Sequence, residues 1–217
     1  MDHSDRPVGE PVRAREVDPP PRRPLLGSFV TLEPIDPTRH GPGLFDAGHG
    51  TVAAEALWTY LPYGPFEDAA AMEAWLTTLP ASDDPLFFAV LRDGSPVGMT
   101  SFLNVDTGMR RLELGHIWFG PAAQRTEANT EAVFMMLSWA FDAGYRRAEW
   151  KCDALNARSR AAAERLGFTF EGVFRRHMIV KGRNRDTAWF SIVEPEWPEI
   201  RSRLWAWLEA RRAGLAP

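Results

Sequence analysis

The sequence of 217 residues predicts a mixed α/β (α+β) fold, in which helices flank a mainly antiparallel sheet. The first half carries several apolar strand patterns, and two of them meet at Asp93-Gly94, a pair typical of hairpins between antiparallel strands. The second half alternates strand patterns with helical ones, which is typical of a crossover connection. These patterns predict a single domain at residues 25–217, and the last helix belongs to it.

The N-terminal segment, residues 1–24, differs from the rest of the chain. It is rich in Pro, Arg, Asp and Glu and shows no apolar periodicity. A segment of this composition buries too little apolar surface to offset the entropy lost on ordering. We therefore predict a disordered tail before the domain.

Hydrophobic spacing locates the elements of the first half. Ala70, Ala74 and Trp75 recur at helical intervals, whereas residues 28–35 alternate apolar and polar side chains, as a half-buried strand does. The predicted strands are residues 28–35, 86–92, 96–105 and 110–119, and the predicted helices are residues 39–49 and 67–79.

Similar signals locate the elements of the second half. Gly144 and Gly167 each follow a helical pattern, at the position where a left-handed glycine commonly ends a helix. The predicted helices are residues 129–141, 156–166 and 197–211, the predicted strands are residues 147–153, 168–180 and 185–193, and residues 121–128 are predicted to form a polar loop.

Composition narrows the classes of function. The net charge is −4 and the basic residues are scattered, so we expect no nucleic-acid partner. No stretch approaches the ~20 apolar residues of a membrane helix, and the polar N-terminus lacks a signal-peptide pattern. Cys152 is the single cysteine, which favours a reducing compartment. We predict a cytoplasmic protein without a metal site or a membrane partner, and the apolar last helix is compatible with a homodimer.

Residues 112–168 carry the most informative pattern. Two predicted strands each lead into a helix N-terminus, where unpaired N–H groups and the positive end of the helix dipole can bind phosphate. If the two strands splay apart, they leave a slot beside that position. An extended cofactor with phosphate groups would fit such a slot.

Three stretches of this segment resemble the GNAT superfamily of N-acetyltransferases, and most closely its RimJ/RimL-type branch. The stretches are Gly115 to Phe119 (GHIWF), Gln124 to Ala132 (QRTEANTEA), and Asn156 to Ser159 (NARS) with Arg165 to Phe168 (RLGF). The likeness extends over about residues 28–195. It implies direct transfer of an acetyl group from acetyl-CoA to a primary amine, on a protein N-terminus or a small molecule.

The resemblance also implies cofactor contacts. Asn156 would bond the pantetheine arm, and Ser159 would lie near the thioester sulfur, although Asn156 also suits an ordinary helix N-cap. The strand at residues 112–119 would pair with the pantetheine amides. The CoA pyrophosphate would be bound by backbone amides of the loop, with Gln124 and Arg125 at its mouth. These amides belong to Arg125, Thr126, Glu127, Ala128, Asn129 and Thr130.

Two positions depart from the family pattern. Glu127 stands where the pyrophosphate loop usually has glycine, which lets the backbone approach phosphate closely. A carboxylate directed inward would oppose CoA binding, whereas one directed to solvent would cost about 1 kcal/mol of screened repulsion. Ala163 stands where many relatives have a tyrosine acting as general acid. Both departures favour the alternative of a CoA-binding or inactive regulatory relative.

Acyl transfer to an amine needs a base and a stabilised oxyanion. Glu113 matches a glutamate common in this branch and is the first candidate for the base; the alternative is an ion pair with Arg110 or Arg111. His116 has a suitable pKa range but also suits a packed strand position. Ser159 is the candidate general acid, or its hydroxyl bonds the preceding helical turn.

An aromatic segment around two prolines is the candidate acceptor site. It contains Trp58, Tyr60 and Tyr63, in the region that shapes the acceptor pocket in relatives. These rings could stack on the side chain of the substrate, or they could pack in the core.

Overall fold

The computed structural model describes residues 6–79 and 81–215, which contain an eight-stranded sheet. The strands are β1 (Leu25–Leu26), β2 (Thr31–Pro34), β3 (Leu86–Arg92), β4 (Ser95–Asp106), β5 (Arg111–Phe119), β6 (Arg147–Asp153), β7 (Thr169–Val180) and β8 (Arg183–Val193). Their order is β1-β2-β3-β4-β5-β6-β8-β7, and every neighbouring pair is antiparallel except β5 and β6. The predicted mixed α/β class is confirmed.

Helices cover both faces of the sheet. The α-helices are α1 (Pro37–Gly48), α2 (Val52–Glu55), α3 (Ala69–Leu76), α4 (Glu127–Ala143), α5 (Ala157–Leu166) and α6 (Trp197–Arg212), and 3₁₀ helices lie at Ala56–Thr59 and Pro121–Ala123. Within the described residues, no helix is long and apolar enough to cross a membrane.

Two hydrophobic clusters lie on opposite faces of the sheet. Along β3, Phe88 belongs to the cluster that includes residues of α4, α5 and α6, whereas its neighbours Phe87 and Ala89 belong to the cluster under α1 and α3. Successive strand residues point to opposite faces, so β3 is buried on both sides. This explains why its sequence is a continuous apolar run rather than an alternating one.

The predicted strand at residues 28–35 is wrong at its N-terminal end. Residues 27–30 form a turn between β1 and β2, closed by the Gly27 N–H, which donates to the Val30 carbonyl at 3.0 Å. The carboxylate of Glu131 on α4 accepts the N–H groups of Ser28, Phe29 and Val30 at 2.6–2.8 Å. Because the acceptor lies a hundred residues away, no local pattern indicates that these N–H groups leave the sheet.

Helix α4 starts two residues earlier than predicted. Thr126 is its N-cap and accepts the Ala128 N–H through its hydroxyl, and Glu127 is the first helical residue. The predicted loop at 121–128 is therefore wrong over its last two residues. The first turn of α4 is polar and lacks the apolar spacing from which the helix was predicted, although Thr at the N-cap and an acidic residue in the first turn are themselves helix-initiating features.

The segment before β1 has no helix or strand in residues 6–24, and part of it contacts the domain. The Tyr145 hydroxyl donates to the Asp18 carbonyl at 3.0 Å, and Arg22 donates to the Ser82 carbonyl at 2.6 Å. Val17 packs against the core. Residues 1–5 of the predicted tail lie outside the described residues, and the disorder of residues 1–24 stays a prediction.

Candidate active site

The sheet forks between its two central strands. Strands β5 and β6 pair in parallel only from Arg111–Glu113 to Arg147–Glu149. Beyond these pairs β5 follows β4 to Phe119, and β6 follows β8 to Asp153. The facing backbone edges of residues 114–119 and 150–153 therefore do not pair with each other, and a slot opens between them.

Two helix N-termini follow the diverging strands. After β5 the chain passes through the short 3₁₀ helix into α4, and after β6 a tight turn leads into α5. The first-turn N–H groups of an α-helix lack partners within the helix, and the N-terminus carries the positive end of its dipole. The diverging strands thus lead to two positions that favour an anion.

The loop before α4 is held by its own side chains. Gln124 donates from Nε2 to the Phe119 carbonyl at 2.9 Å, and the Thr126 hydroxyl donates to the Ala123 carbonyl at 2.7 Å. Arg125 is exposed and adopts a left-handed φ of 60°. Arg125 is therefore the residue of this loop with the unusual backbone conformation. Glu127 is helical, so it does not need the φ freedom of glycine.

The carboxylate of Glu127 is directed towards α6. Its Oε1 lies 3.8 Å from Nε of Arg211, and the Arg211 guanidinium lies over the Trp207 ring at 5.1 Å. The Glu127 side chain is 19 % exposed, so it is neither fully solvated nor unpaired. The positive charge of Arg211 therefore offsets part of the negative charge that Glu127 brings to this position, where relatives usually have glycine.

The other predicted residues of this loop are Ala128, Asn129 and Thr130, which differ in their hydrogen-bond partners. Ala128 and Thr130 are buried, and the Thr130 hydroxyl accepts a hydrogen bond from Arg165 of α5 at 2.8 Å. This bond links the first turn of α4 to α5. The side-chain oxygen of Asn129 is buried and has no hydrogen-bond partner among the described residues.

Asn156 and Ser159 form the start of α5 beside β6. Asn156 is the N-cap, and its Oδ1 accepts the Ser159 N–H at 3.1 Å. The Ser159 hydroxyl accepts the indole N–H of Trp150 at 3.1 Å, and its own hydrogen can be donated, with the Cys152 sulfur as one neighbouring acceptor. Both residues are half-buried at the β6 side of the slot. Ala163, which replaces the family tyrosine, is fully buried in the core.

Glu113 lies at the base of the fork, because it belongs to the last residue pair before β5 and β6 separate. Its side chain is 2 % exposed, and its Oε2 accepts from Lys151 Nζ and from Asn104 Nδ2, each at 2.8 Å. The expected alternative partners, Arg110 and Arg111, are not its ion-pair partners in the described structure. Burial raises the pKa of Glu113, and Lys151 opposes this shift.

His116 lies on a β-bulge in β5. Two residues, His116 and Ile117, stand opposite Thr100 of β4, and His116 has a φ of 52°. Bulges are common next to active sites, where they redirect a side chain. The His116 ring contacts Phe87 at 4.7 Å between centroids. Burial, together with the positive charge of Lys151, lowers the pKa of His116 to about 4, so its imidazole is neutral at pH 7.

The three predicted acceptor-site aromatics have different environments. Trp58 is fully buried, donates to the Gly48 carbonyl at 2.8 Å and packs on Trp118, so its ring is a core element. Tyr63 is half-buried, stacks on His116 at 5.6 Å, and has a pKa raised by burial of its hydroxyl. Tyr60 is half-buried and donates to the Leu155 carbonyl at 3.2 Å.

Three segments meet at the mouth of the slot. Tyr60 connects the first 3₁₀ helix to the turn after β6, and Lys181, in the turn between β7 and β8, donates to the Trp58 carbonyl at 2.6 Å. Leu155 and Ile179, beside these contacts in sequence, are 77 % and 83 % exposed. The mouth therefore combines fixed polar contacts with exposed apolar side chains.

Lys151, Asn104 and Arg211 are site residues that the sequence patterns do not indicate. Each contacts a predicted residue that is distant in sequence: Lys151 and Asn104 contact Glu113, and Arg211 contacts Glu127. A positive charge on the strand that ends in Asp153 is the one available signal for Lys151. Among the described residues, no group of three His, Cys, Asp or Glu side chains could hold a metal ion.

Known proteins share this architecture. The family model described as acetyltransferase (GNAT) domain matches residues 30–169. A GCN5-related N-acetyltransferase from Brucella melitensis superposes with a TM-score of 0.86 and 43 % identity, covering 93 % of this chain and 89 % of that one. A GNAT-family acetyltransferase from Chromobacterium violaceum superposes with a TM-score of 0.80 and 40 % identity, covering 89 % and 100 %.

A curated relative matches part of the chain. It is YdaF of Bacillus subtilis, a candidate ribosomal N-acetyltransferase, and it is 33 % identical over 109 residues. The matched stretch spans 50 % of this chain and 59 % of YdaF.

The chain belongs to the GNAT family of acetyltransferases, because the family model matches more than half of it and the forked sheet has the corresponding architecture. The similarity to YdaF, which is named as a candidate ribosomal N-acetyltransferase, favours the RimJ/RimL-type branch of that family. Fold and comparisons agree that residues 30–169 form a GNAT acetyltransferase domain.

Proposed function

We propose that this protein transfers an acetyl group directly from acetyl-CoA to a primary amine, with the α-amine of a protein N-terminus as the preferred acceptor. The observation that carries the proposal is the fork between β5 and β6, whose unpaired backbone edges lead to two helix N-termini. An extended, phosphate-bearing molecule matches both features of that slot. The name of YdaF supports a ribosomal protein as acceptor and the cytoplasm as location.

The cofactor would be held by groups along the slot. The open N–H groups at the start of α4, beside Gln124 and Arg125, would bind the pyrophosphate, and the free edge of β5 would bond the pantetheine amides. Asn156 Oδ1 is already used in capping α5, so its Nδ2 would be the group that contacts the pantetheine arm. Acetyl-CoA supplies the activated acyl group and a thiolate leaving group.

Glu113 would accept the proton of the acceptor amine. It lies at the base of the slot, and a base with a raised pKa is closer to the operating pH than an ordinary carboxylate. His116, with its pKa lowered to about 4, would be a weaker base. Backbone N–H groups near the bulge would stabilise the oxyanion. The Ser159 hydroxyl would donate towards the leaving thiolate.

A direct transfer is favoured over an acyl-enzyme. Cys152 is the single cysteine, it is 6 % exposed, and burial raises the pKa of its thiol. The thiolate is the nucleophilic form of cysteine, so a buried thiol with a raised pKa is a poor nucleophile. The amine itself would therefore attack the acyl group.

The direct test is release of free CoA thiol in the presence of acetyl-CoA and peptides with ribosomal-protein N-termini, compared with small amines. The matched control is the same peptide with its α-amine already acetylated. We expect release with the free peptide, none with the blocked one, and a mass increase of one acetyl group on the α-amine. Tight binding of acetyl-CoA without transfer to any amine would instead support the regulatory alternative.

The first variant prediction concerns Glu127. Glu127→Gly should change the Kd for acetyl-CoA by less than about fivefold, because the carboxylate is directed to Arg211 and a screened charge contributes about 1 kcal/mol. Arg211→Ala, which leaves the carboxylate without its cation, should weaken binding more than Glu127→Gly does. Titration calorimetry measures both. A gain of tenfold or more in Glu127→Gly would mean that the carboxylate opposes the phosphate groups.

A further inference from the structure

The carboxylate of Glu113 is bound on one oxygen only. Lys151 Nζ and Asn104 Nδ2 both donate to Oε2, each at 2.8 Å. Among the described residues no hydrogen bond reaches Oε1. A buried carboxylate normally has both oxygens satisfied, so an oxygen without a donor is a group prepared to accept a proton or a hydrogen bond.

Lys151 connects the two strands across the fork. It lies on β6 two residues beyond Glu149, the last residue of β6 that pairs with β5. Its ion pair with Glu113 therefore joins the strands where their backbones have already separated. The Lys151 side chain is 18 % exposed, and its ammonium nitrogen lies 5.3 Å from the centroid of the Trp189 ring. A long lysine side chain is thus held in one direction by an ion pair and an aromatic face.

Asn104, the second donor to Glu113 Oε2, also has a fixed conformation. It lies at an irregularity in the β4–β5 pairing and has a φ of 50°. The Asp84 carboxylate accepts the N–H groups of Asn104 and Val105 at 2.7 Å and 2.9 Å. The loop before β3 therefore fixes the conformation in which Asn104 reaches Glu113.

From this arrangement we infer that Lys151 is a positioning residue for Glu113, which it holds by Oε2 so that Oε1 is presented to the acceptor amine at the base of the slot. The inference rests on the proposed function. In the reaction, the proton released by the amine passes to Oε1, and Lys151 keeps its own protons throughout. Asn104 supports the same orientation with a neutral donor.

The charges around Glu113 determine how the loss of the Lys151 charge is detected. Lys151 favours the ionised carboxylate, whereas Glu149 on the paired part of β6 opposes it, and His116 on the bulge is neutral at pH 7. Removal of the lysine charge therefore raises the pKa of Glu113 further. Since the base acts in its ionised form, the acidic limb of the pH–kcat profile moves to higher pH.

The test compares Lys151→Met with wild type in the full chain. We expect kcat to fall by about tenfold to a hundredfold, as for a displaced catalytic group, with the acidic limb at higher pH and the Kd for acetyl-CoA within about twofold of wild type. Lys151→Gln keeps a donor and loses the charge. It should show the same shift of the limb, and it decides the question if the methionine variant does not fold.

A double-mutant cycle with Glu113→Gln separates positioning from a structural role. If Lys151 acts through Glu113, Lys151→Met has no further effect on kcat in the Glu113→Gln background. An equal loss in both backgrounds, or an unchanged kcat and pH profile in Lys151→Met, overturns the inference. Absence of transfer by wild type would instead overturn the proposed function, whereas an acidic limb that persists in Glu113→Gln would remove Glu113 as the base and overturn this inference with it.

Discussion

Replacing Glu113 by glutamine lowers kcat for acetyl transfer by about 10²- to 10⁴-fold, the usual contribution of a general base. Glutamine keeps the volume of the side chain and an oxygen that can accept from Lys151 and Asn104. It removes the ability to take a proton. The Kd for acetyl-CoA should change little, because the substitution lies at the base of the slot rather than beside the helix N-termini.

The pH dependence gives a second readout of the same variant. Burial raises the pKa of Glu113, and Lys151 only partly opposes this. The wild-type rate should therefore rise with pH through a limb that lies above the pKa of an ordinary glutamate, and Glu113→Gln should lose that limb. Glu149→Gln is the control: Glu149 is a buried glutamate on β6 that pairs with Arg147, and its replacement should keep the limb but move it to lower pH, because its charge opposes ionisation of Glu113. A wild-type kcat in Glu113→Gln would remove Glu113 from the mechanism.

Replacing Glu131 by alanine is expected to destabilise the protein by at least about 3 kcal/mol. The carboxylate accepts three backbone N–H groups between β1 and β2, and hydrogen bonds to a charged group contribute about 1.5–3 kcal/mol each. The variant leaves these donors unpaired. For a protein of this size the Tm should fall by about 6–12 °C.

Thermal melting and urea unfolding of Glu131→Ala measure the effect, with Glu73→Ala as the control. Glu73 is an exposed glutamate on α3, so its loss should change the free energy of unfolding by less than about 0.5 kcal/mol. Gly27→Ala should act in the same direction as Glu131→Ala, because a Cβ at Gly27 would overlap the Glu131 carboxylate. Equal stability of Glu131→Ala and Glu73→Ala would mean that the turn has other acceptors.

Local patterns predicted the elements well and the contacts between them poorly. The bounds of β3 and β6 agree with the predicted strands, because apolar runs and neighbouring turn signals are local features. The turn at residues 27–30 depends on Glu131, which is more than a hundred residues away. An alternating apolar pattern cannot reveal that a distant carboxylate takes its N–H groups.

The candidate site shows the same division. Glu113 and the start of α5 were found through their resemblance to a family motif, whereas Lys151 was not, since its partner lies 38 residues away across a fork that no periodicity predicts. Trp58 illustrates the opposite case, because an aromatic in the right region is fully buried. Its bond to the Gly48 carbonyl satisfies the indole and lets it serve as core.

Calorimetric titration of the wild-type protein with acetyl-CoA, paired with thermal melting over a range of ligand concentrations, directly tests the cofactor site between β5 and β6. We predict one saturable site per chain and a Tm that rises as the ligand concentration exceeds Kd. Absence of saturable binding, with no change in Tm, would contradict the assignment of the slot between β5 and β6 as an acetyl-CoA site.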